Sequence, residues 1–205
     1  LDVLNQLEAC FAGKIFRQMG QWYVRVGAWY GNPTYTINTD DVHGNIKIKW
    51  HADLRDRANV VRATFTDPEQ NYERTDAPPV ISSAYQTRDN QVLEKSITLP
   101  FVRSSTTAQR LATIHLEQTR LGEIELPLKH KGLAAAVGRT VYLNLPGESI
   151  TNKIYRVTER RFRLDGGVTL MCIEDGPGLW GDNLIPGAQD LTPNSDYLVG
   201  RPHPF

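Results

Sequence analysis

Ile154-Tyr155-Arg156-Val157-Thr158-Glu159-Arg160-Arg161-Phe162-Arg163-Leu164, then Asp165-Gly166-Gly167, then Val168-Thr169-Leu170-Met171-Cys172-Ile173-Glu174, is the stretch that decides the fold. Both limbs carry β-branched and aromatic residues, and the Asp-Gly-Gly between them has the backbone freedom of a hairpin turn. Residues 154–164 therefore read as a long strand and 168–174 as its return. Working outward, Val141, Leu143 and Leu145 alternate with polar neighbours up to Pro146-Gly147. Ile46-Lys47-Ile48-Lys49-Trp50 alternates as cleanly, and Leu93, Lys95, Ile97 and Leu99 do so again before Pro100. Val60 to Thr66 has strand composition and ends at Asp67-Pro68, a turn opener. The stretch from Asp67 to Ser83, with Pro68, Pro78 and Pro79, reads as a long loop or extended arm.

Two stretches break the period of two. Residues 107–121 form a helix in which Leu111, Ile114, Gln118 and Leu121, with Ala108 and Ala112, share one face, while Glu117 and Arg120 fall on the wet side. Thr106-x-x-Gln109 fits a capping box at its start, and Gly122 ends it. Residues 1–12 place Val3, Leu4, Leu7 and Phe11 on one helical face and stop at Gly13. From Gly13 to Ala28 a hairpin is expected, turning at Gly20, with Trp22, Val24, Val26 and Ala28 alternating against Gln21, Tyr23 and Arg25. The expected fold class is α+β, mainly β. It is a β-barrel or sandwich of short antiparallel strands with one long packed helix, preceded by a small helix-hairpin segment. The divisions are 1–37, a small α+β subdomain; 38–183, the barrel-like domain; and 184–205, a linker or tail rich in Gly, Pro, Asn and Asp.

Charge and composition exclude several classes. Lys and Arg number 23 against 23 Asp and Glu, so the chain as a whole exerts no pull on nucleic acid or anionic membrane. No apolar run approaches the roughly 18 residues needed to span a bilayer. The start, Leu1-Asp2-Val3-Leu4, lacks the basic region of a signal peptide and an initiator Met, and a segment of a longer chain is expected. Two cysteines, Cys10 and Cys172, make no disulfide framework.

Motifs that carry chemistry are missing: no G-x-S-x-G, P-loop, G-x-G-x-x-G or H-E-x-x-H occurs. Asp40-Asp41-x-His43 with His51 and Asp53 is the densest set of metal-ligand types, but its spacing fixes no third ligand, and turn carboxylates with a surface His are the expected reading. Glu123 and Glu125 point the same way on a strand, as an acid/base pair could, and read as a solvated face. Asp165-Gly166-Gly167 lacks the ligand ladder of a calcium loop. Lys153, Arg156, Arg160, Arg161 and Arg163, interleaved with Tyr155 and Phe162, could grip a phosphate backbone. Strand alternation sets Arg156 and Arg160 apart from Arg161 and Arg163, so a salt-bridged surface is expected. No catalytic, cofactor-binding or metal residue is assigned.

Several segments, in order, resemble the tail tip attachment protein J family of lambda-like phages and related siphophage tail hubs. Asn59-Val60-Val61-Arg62-Ala63-Thr64-Phe65-Thr66-Asp67-Pro68 with Tyr72 is similar to that family's N-x-V strand, D-P turn and Tyr. Leu99-Pro100-Phe101-Val102 leads into Ala108-Gln109-Arg110-Leu111-Ala112, which resembles its Q-x-R-x-A helix. Val137-Gly138-Arg139-Thr140-Val141-Tyr142-Leu143 sits at its G-D-x-V-x-V strand, with Arg139 where an acid is common. Tyr155-Arg156-Val157-Thr158-Glu159, the Asp165 turn and Pro177-Gly178-Leu179-Trp180 resemble its closing hairpin and aromatic exit, and Asp40-Asp41-Val42 its D-D-I entry. The resemblance covers about residues 40–182 and supplies no catalytic residue. It implies a structural hub, with 1–37 the end of a hub subdomain and 38–183 the hub domain. Such a hub closes the tail tube as a homotrimer, meets the distal tail ring, the tape-measure protein and fibre domains, and passes DNA through its ring. Its place is the virion tail, after synthesis in the host cytoplasm. Trp29, Tyr30 and Trp180 are then candidate interface anchors. Two other readings are a receptor- or carbohydrate-binding β-module stacking on Trp22, Tyr23, Trp29 and Tyr30, and a cell-wall hydrolase using Glu123 or Asp165.

Overall fold

The computed structural model describes residues 2–18, 20–163 and 167–180. Asp165 and Gly166 of the expected turn and the linker expected at 184–205 lie outside them. In chain order the first elements are helix α1 (Asp2–Cys10) and strands β1 (Lys14–Gln18), β2 (Gln21–Arg25), β3 (Thr36–Asn38), β4 (Lys47–Lys49), β5 (Val60–Asp67), β6 (Glu73–Asp76) and β7 (Val80–Ile81). Then come helix α2 (Ser83–Asp89), β8 (Glu94–Leu99), helix α3 (Ser105–Gln118), β9 (Glu123–Leu128), β10 (Thr140–Leu145), β11 (Ile150–Phe162) and β12 (Val168–Glu174). The class is α+β, mainly β, as expected. Its sheets are mixed rather than all antiparallel, because β3 pairs β10 and β8 pairs β5 in parallel. The elements gather into two compact units interleaved along the chain, one from residues 2–12 and 58–116, the other from 13–57 and 117–180.

In the first unit β5 is central, with β6 and β7 antiparallel along one edge and β8 parallel along the other. A parallel pair needs a crossover, and residues 68–93 provide it. That corrects the expectation of a loop over 67–83: the segment holds two short strands, and the buried side chain of Ala77. Pro68 opens a single 3-10 turn whose free amide, on Glu69, donates to Asp67 Oδ1 at 3.0 Å. Pro78 and Pro79 fall between β6 and β7, where no ladder donor is missed. Val61, Ala63 and Phe65 of β5 pack with Leu99 against Ala108, Leu111, Ala112 and Leu116 of α3. Asn59, fully buried, ties the start of β5 to the approach of β8: its amide donates to Gln91 O at 2.8 Å and accepts from Leu93 N at 2.8 Å.

Two helix ends differ from the sequence reading. α3 starts at Ser105, ahead of the expected cap, and Gln109 is buried with its amide on Ser105 Oγ at 3.1 Å, so Thr106 and Gln109 form no capping box. At the end of α1 it is Ala12, at φ +49°, that takes the left-handed conformation expected of Gly13. None of the α1 residues is buried, and Val3 is 61% exposed.

In the second unit the six-stranded sheet runs β3-β10-β11-β12-β9-β4. Its core faces carry Ile37, Leu126, Leu128, Val141, Leu143, Tyr155, Val157, Leu170 and Cys172, all buried. Among the described residues no strand pairing closes it into a barrel. It is nevertheless curled. Asn38 ends β3, and four residues later Val42 bridges Leu128 at the end of β9. Four residues reach about 14 Å, whereas Val42, on the side of β9 away from β12, would stand five strand spacings, about 24 Å, from β3 in a flat sheet. Lys129 N donating to Asp41 O at 2.9 Å and His43 N to Pro127 O at 2.8 Å hold the curl. Gly122, after α3, lies where a Cβ would meet Trp50 O at 2.7 Å, so only glycine lets β4 approach there.

The β1–β2 hairpin pairs Ile15 with Val24 and Arg17 with Trp22, turning at Gly20 with φ +81°. The expected apolar face does not look onto a core: Trp22 and Val24 are 65% and 63% exposed. The opposite face, Phe16 with Tyr23 and Arg25, is the one that packs, against the backbone at Gly138.

Candidate functional site

The basic strand re-phases halfway. Val157 pairs Cys172, but Glu159 pairs Met171 and Arg160 pairs Leu170, so Thr158 is an extra residue in β11. Its hydroxyl donates to Met171 O at 3.0 Å, filling the break. The bulge corrects the expected split of arginines. Arg160 and Phe162 share the face of Leu170 and Val168, while Arg161 joins the outer face with Arg156. Each cation also has a local partner. Arg161 is clamped by both Glu159 oxygens at 2.7 and 2.9 Å, and that contact holds the exposed Glu159 carboxyl below its ordinary range. Arg160 donates to Leu133 O at 3.0 Å and lies over the Phe162 ring; Lys153 pairs Glu174 at 3.3 Å.

The acidic candidates have basic neighbours as well. Asp41 is buried, accepts from Lys131 Nζ at 2.8 Å and from Asn38 N at 3.1 Å, and so pins β3 to the chain after β9. Burial alone would raise its pKa, but the Lys131 and Asn38 hydrogen bonds outweigh that and hold it low. Asp53 pairs Lys49 at 2.9 Å, and His43 and His51 are exposed. Among the described residues no three such side chains converge on a metal position. Glu123 and Glu125 face Lys49 and Lys47 across β4–β9, with Lys47 on Glu125 at 3.0 Å. Asp165, the other acid considered, lies outside the described residues. Cys172 is buried in the core and its thiol is pushed up to about 12 by burial.

The four aromatics of the stacking platform are divided. Trp22 lies on one hairpin face and Tyr23 on the other, stacked on Phe16 with ring centroids 5.6 Å apart. The Tyr30 ring is covered by the Arg25 guanidinium at 4.0 Å, and Trp29 is half-buried. Trp180 is buried: its Nε1 donates to Asp175 Oδ1 at 2.7 Å and Arg156 stacks over its ring at 4.8 Å. Arg156 completes this clasp on Asp175 Oδ2 at 3.5 Å.

What the clusters of like residue types in sequence did not show is the surface beside that clasp. The Arg25 stem touches Gly138, where a Cβ would lie 3.0 Å from Arg25 Cδ, and this brings it next to the exposed Arg139. Burial, and after it the Arg139 charge, lower the Arg25 pKa, opposed by Tyr30 and Asp175. Tyr30, 54% exposed, lies under the Arg25 guanidinium, and Tyr23, 42% exposed, shares the hairpin face of Arg25. Residues so distant in sequence leave no spacing signal. The tight Gly138 at φ +79° is the trace available in the sequence.

No curated protein matches the sequence. Among solved structures, a protein of the virion of a native gene transfer agent particle is similar at a TM-score of 0.67 and 18% identity, over 87% of this chain and 39% of that one. This chain thus spans about two-fifths of that protein's length. The prophage MuSo2 43 kDa tail protein from Shewanella oneidensis gives 0.49 at 10% identity over 84% and 51% of the two chains. The prophage tail protein gp18 from Listeria monocytogenes EGD-e gives 0.48 at 9% identity over 85% and 52%. A family model described as "Putative phage tail protein" matches residues 1–160, well over half of the chain, and the chain belongs to that family of phage tail proteins.

Proposed function

We propose that the chain is a structural segment of a tail-tip or baseplate hub, closing the tail tube and linking it to the central fibre for host attachment and DNA delivery. The observation that carries the reading is the family match over residues 1–160, joined to the ordered resemblance to tail tip attachment proteins from residue 40 onward. The fold supports it in kind. A curled sheet, held by the Asp41–Lys131 pair and by the Arg156–Asp175–Trp180 clasp, is a stiff part suited to mechanical duty. In this reading the assembled protein is a homotrimer in the virion, meeting the distal tail ring, the tape-measure protein and fibre domains, with DNA passing through the ring.

Cross-linking of purified particles followed by mass spectrometry tests the placement. Exposed Lys47 and Lys129 are expected to link to distal-ring or tape-measure proteins. Links from these lysines to capsid or major tube proteins alone would contradict it.

A further inference from the structure

We propose that Arg25 and Arg139, with Tyr30 under Arg25 and Tyr23 on the same hairpin face, form a docking site for a carboxylate-bearing segment of a partner protein. Like charges placed side by side repel, and a fold accepts that cost where an opposite charge completes the site. Among the described residues, the carboxylate that acts on Arg25 is Asp175. It is already spent on Arg156, on Trp180 Nε1 and on Gly176 N at 2.8 Å. Arg25 and Arg139 are left without a carboxylate of their own among the described residues.

The geometry favours a planar anion. Arg25 places its guanidinium carbon 4.0 Å from the Tyr30 ring centroid, and a guanidinium is a planar donor fork that matches a carboxylate. The Tyr30 hydroxyl donates to Val26 O at 3.0 Å, fixing the ring that carries the stack. Tyr23 is held by Phe16 across the hairpin with an interplanar angle of 13°, so both aromatic rings are ordered before any partner arrives. Exposed Tyr and Arg on a pre-organised surface is the composition of protein–protein anchor points. Two cations do not make the phosphate-tracking stripe of a nucleic-acid groove, and the arginines of β11 that would lengthen it are engaged with Glu159 and Leu133 O. A protein segment carrying acidic and aromatic or apolar side chains is therefore the occupant.

This site rests on the tail reading only for the source of its partner, and it is tested without the particle. The probe is a synthetic peptide of alternating Glu and Tyr, about ten residues long, titrated against the purified chain with tryptophan fluorescence and NMR of the arginine side chains. Binding is expected, weakening as salt is raised. Arg139→Glu, on an exposed residue, is expected to weaken it by about tenfold or more, and Arg25→Lys to weaken it while keeping the charge. Arg103→Gln, in the other unit, is expected to leave it unchanged, and a Gln-Tyr peptide is expected not to bind. Unchanged binding in Arg139→Glu, no binding to the wild type, or displacement of the peptide by an oligothymidylate of equal charge would overturn the site. Each of those results leaves the hub placement standing, since that is read on the particle.

Discussion

Asp41 shows how one side chain can stand in for a missing strand pairing. The curl of the sheet in the second unit depends on residues 39–43, and Asp41 is the buried group that joins them to Lys131 and to Asn38 N. Replacing it with Asn removes the charge and keeps the shape, and the expected loss is about 1.5–3 kcal/mol, the range for a hydrogen bond to a charged partner. The pH dependence follows from the lowered pKa. The unfolded carboxyl protonates near its ordinary value of about 4, while the folded one holds out to lower pH. Unfolded chains therefore bind more protons in that window. Stability from Asp41 is full above about pH 4 and is lost as pH falls through the folded value. Urea melts at neutral pH and near pH 3 should show a smaller acid-induced loss in Asp41→Asn than in the wild type. Equal acid sensitivity would mean the pair does not hold the seam.

At the scale of elements, the β11–β12 ladder makes a contrast within one register. Leu170 and Arg160 are partners, as are Val168 and Phe162, yet Leu170 is fully buried and Phe162 is 71% exposed. Leu170→Ala should cost about 2–5 kcal/mol and Phe162→Ala no more than about 0.5 kcal/mol, measured by chemical denaturation. Similar losses would mean that Phe162 closes the end of the core. This ladder also marks where the sequence is readable. Alternation located β10, β11, β12 and β8, because a half-buried strand must alternate. It could not show the Thr158 bulge, since one inserted residue leaves the local composition unchanged while reversing every side chain after it. It read 67–83 as loop because β6 and β7 are too short to alternate and gain their order from β5. The open face of β1–β2 misled for the opposite reason: Trp22, Val24 and Val26 alternate perfectly and are exposed. Of the polar features, Asp41, Arg156, Arg25 and Arg139 were all visible as single residues but not as neighbours, because only the fold brings them to their partners.

For the whole molecule, the family and the fold are established while the hub role is the reading offered. No helix of the described residues is long and apolar enough to cross a membrane. Two interleaved units, each with its own buried cluster, make a chain whose first strands and last strands cannot be separated without dismantling the second unit. Such interleaving suits a part that must transmit load without shedding a domain. The most direct measurement is a cryo-electron-microscopy reconstruction of the assembled particle carrying this chain. The account predicts three copies of this fold arranged around the axis at the distal end of the tail tube, below the distal ring. A tail whose tip has no three-fold hub, or density for this fold elsewhere in the particle, would contradict it.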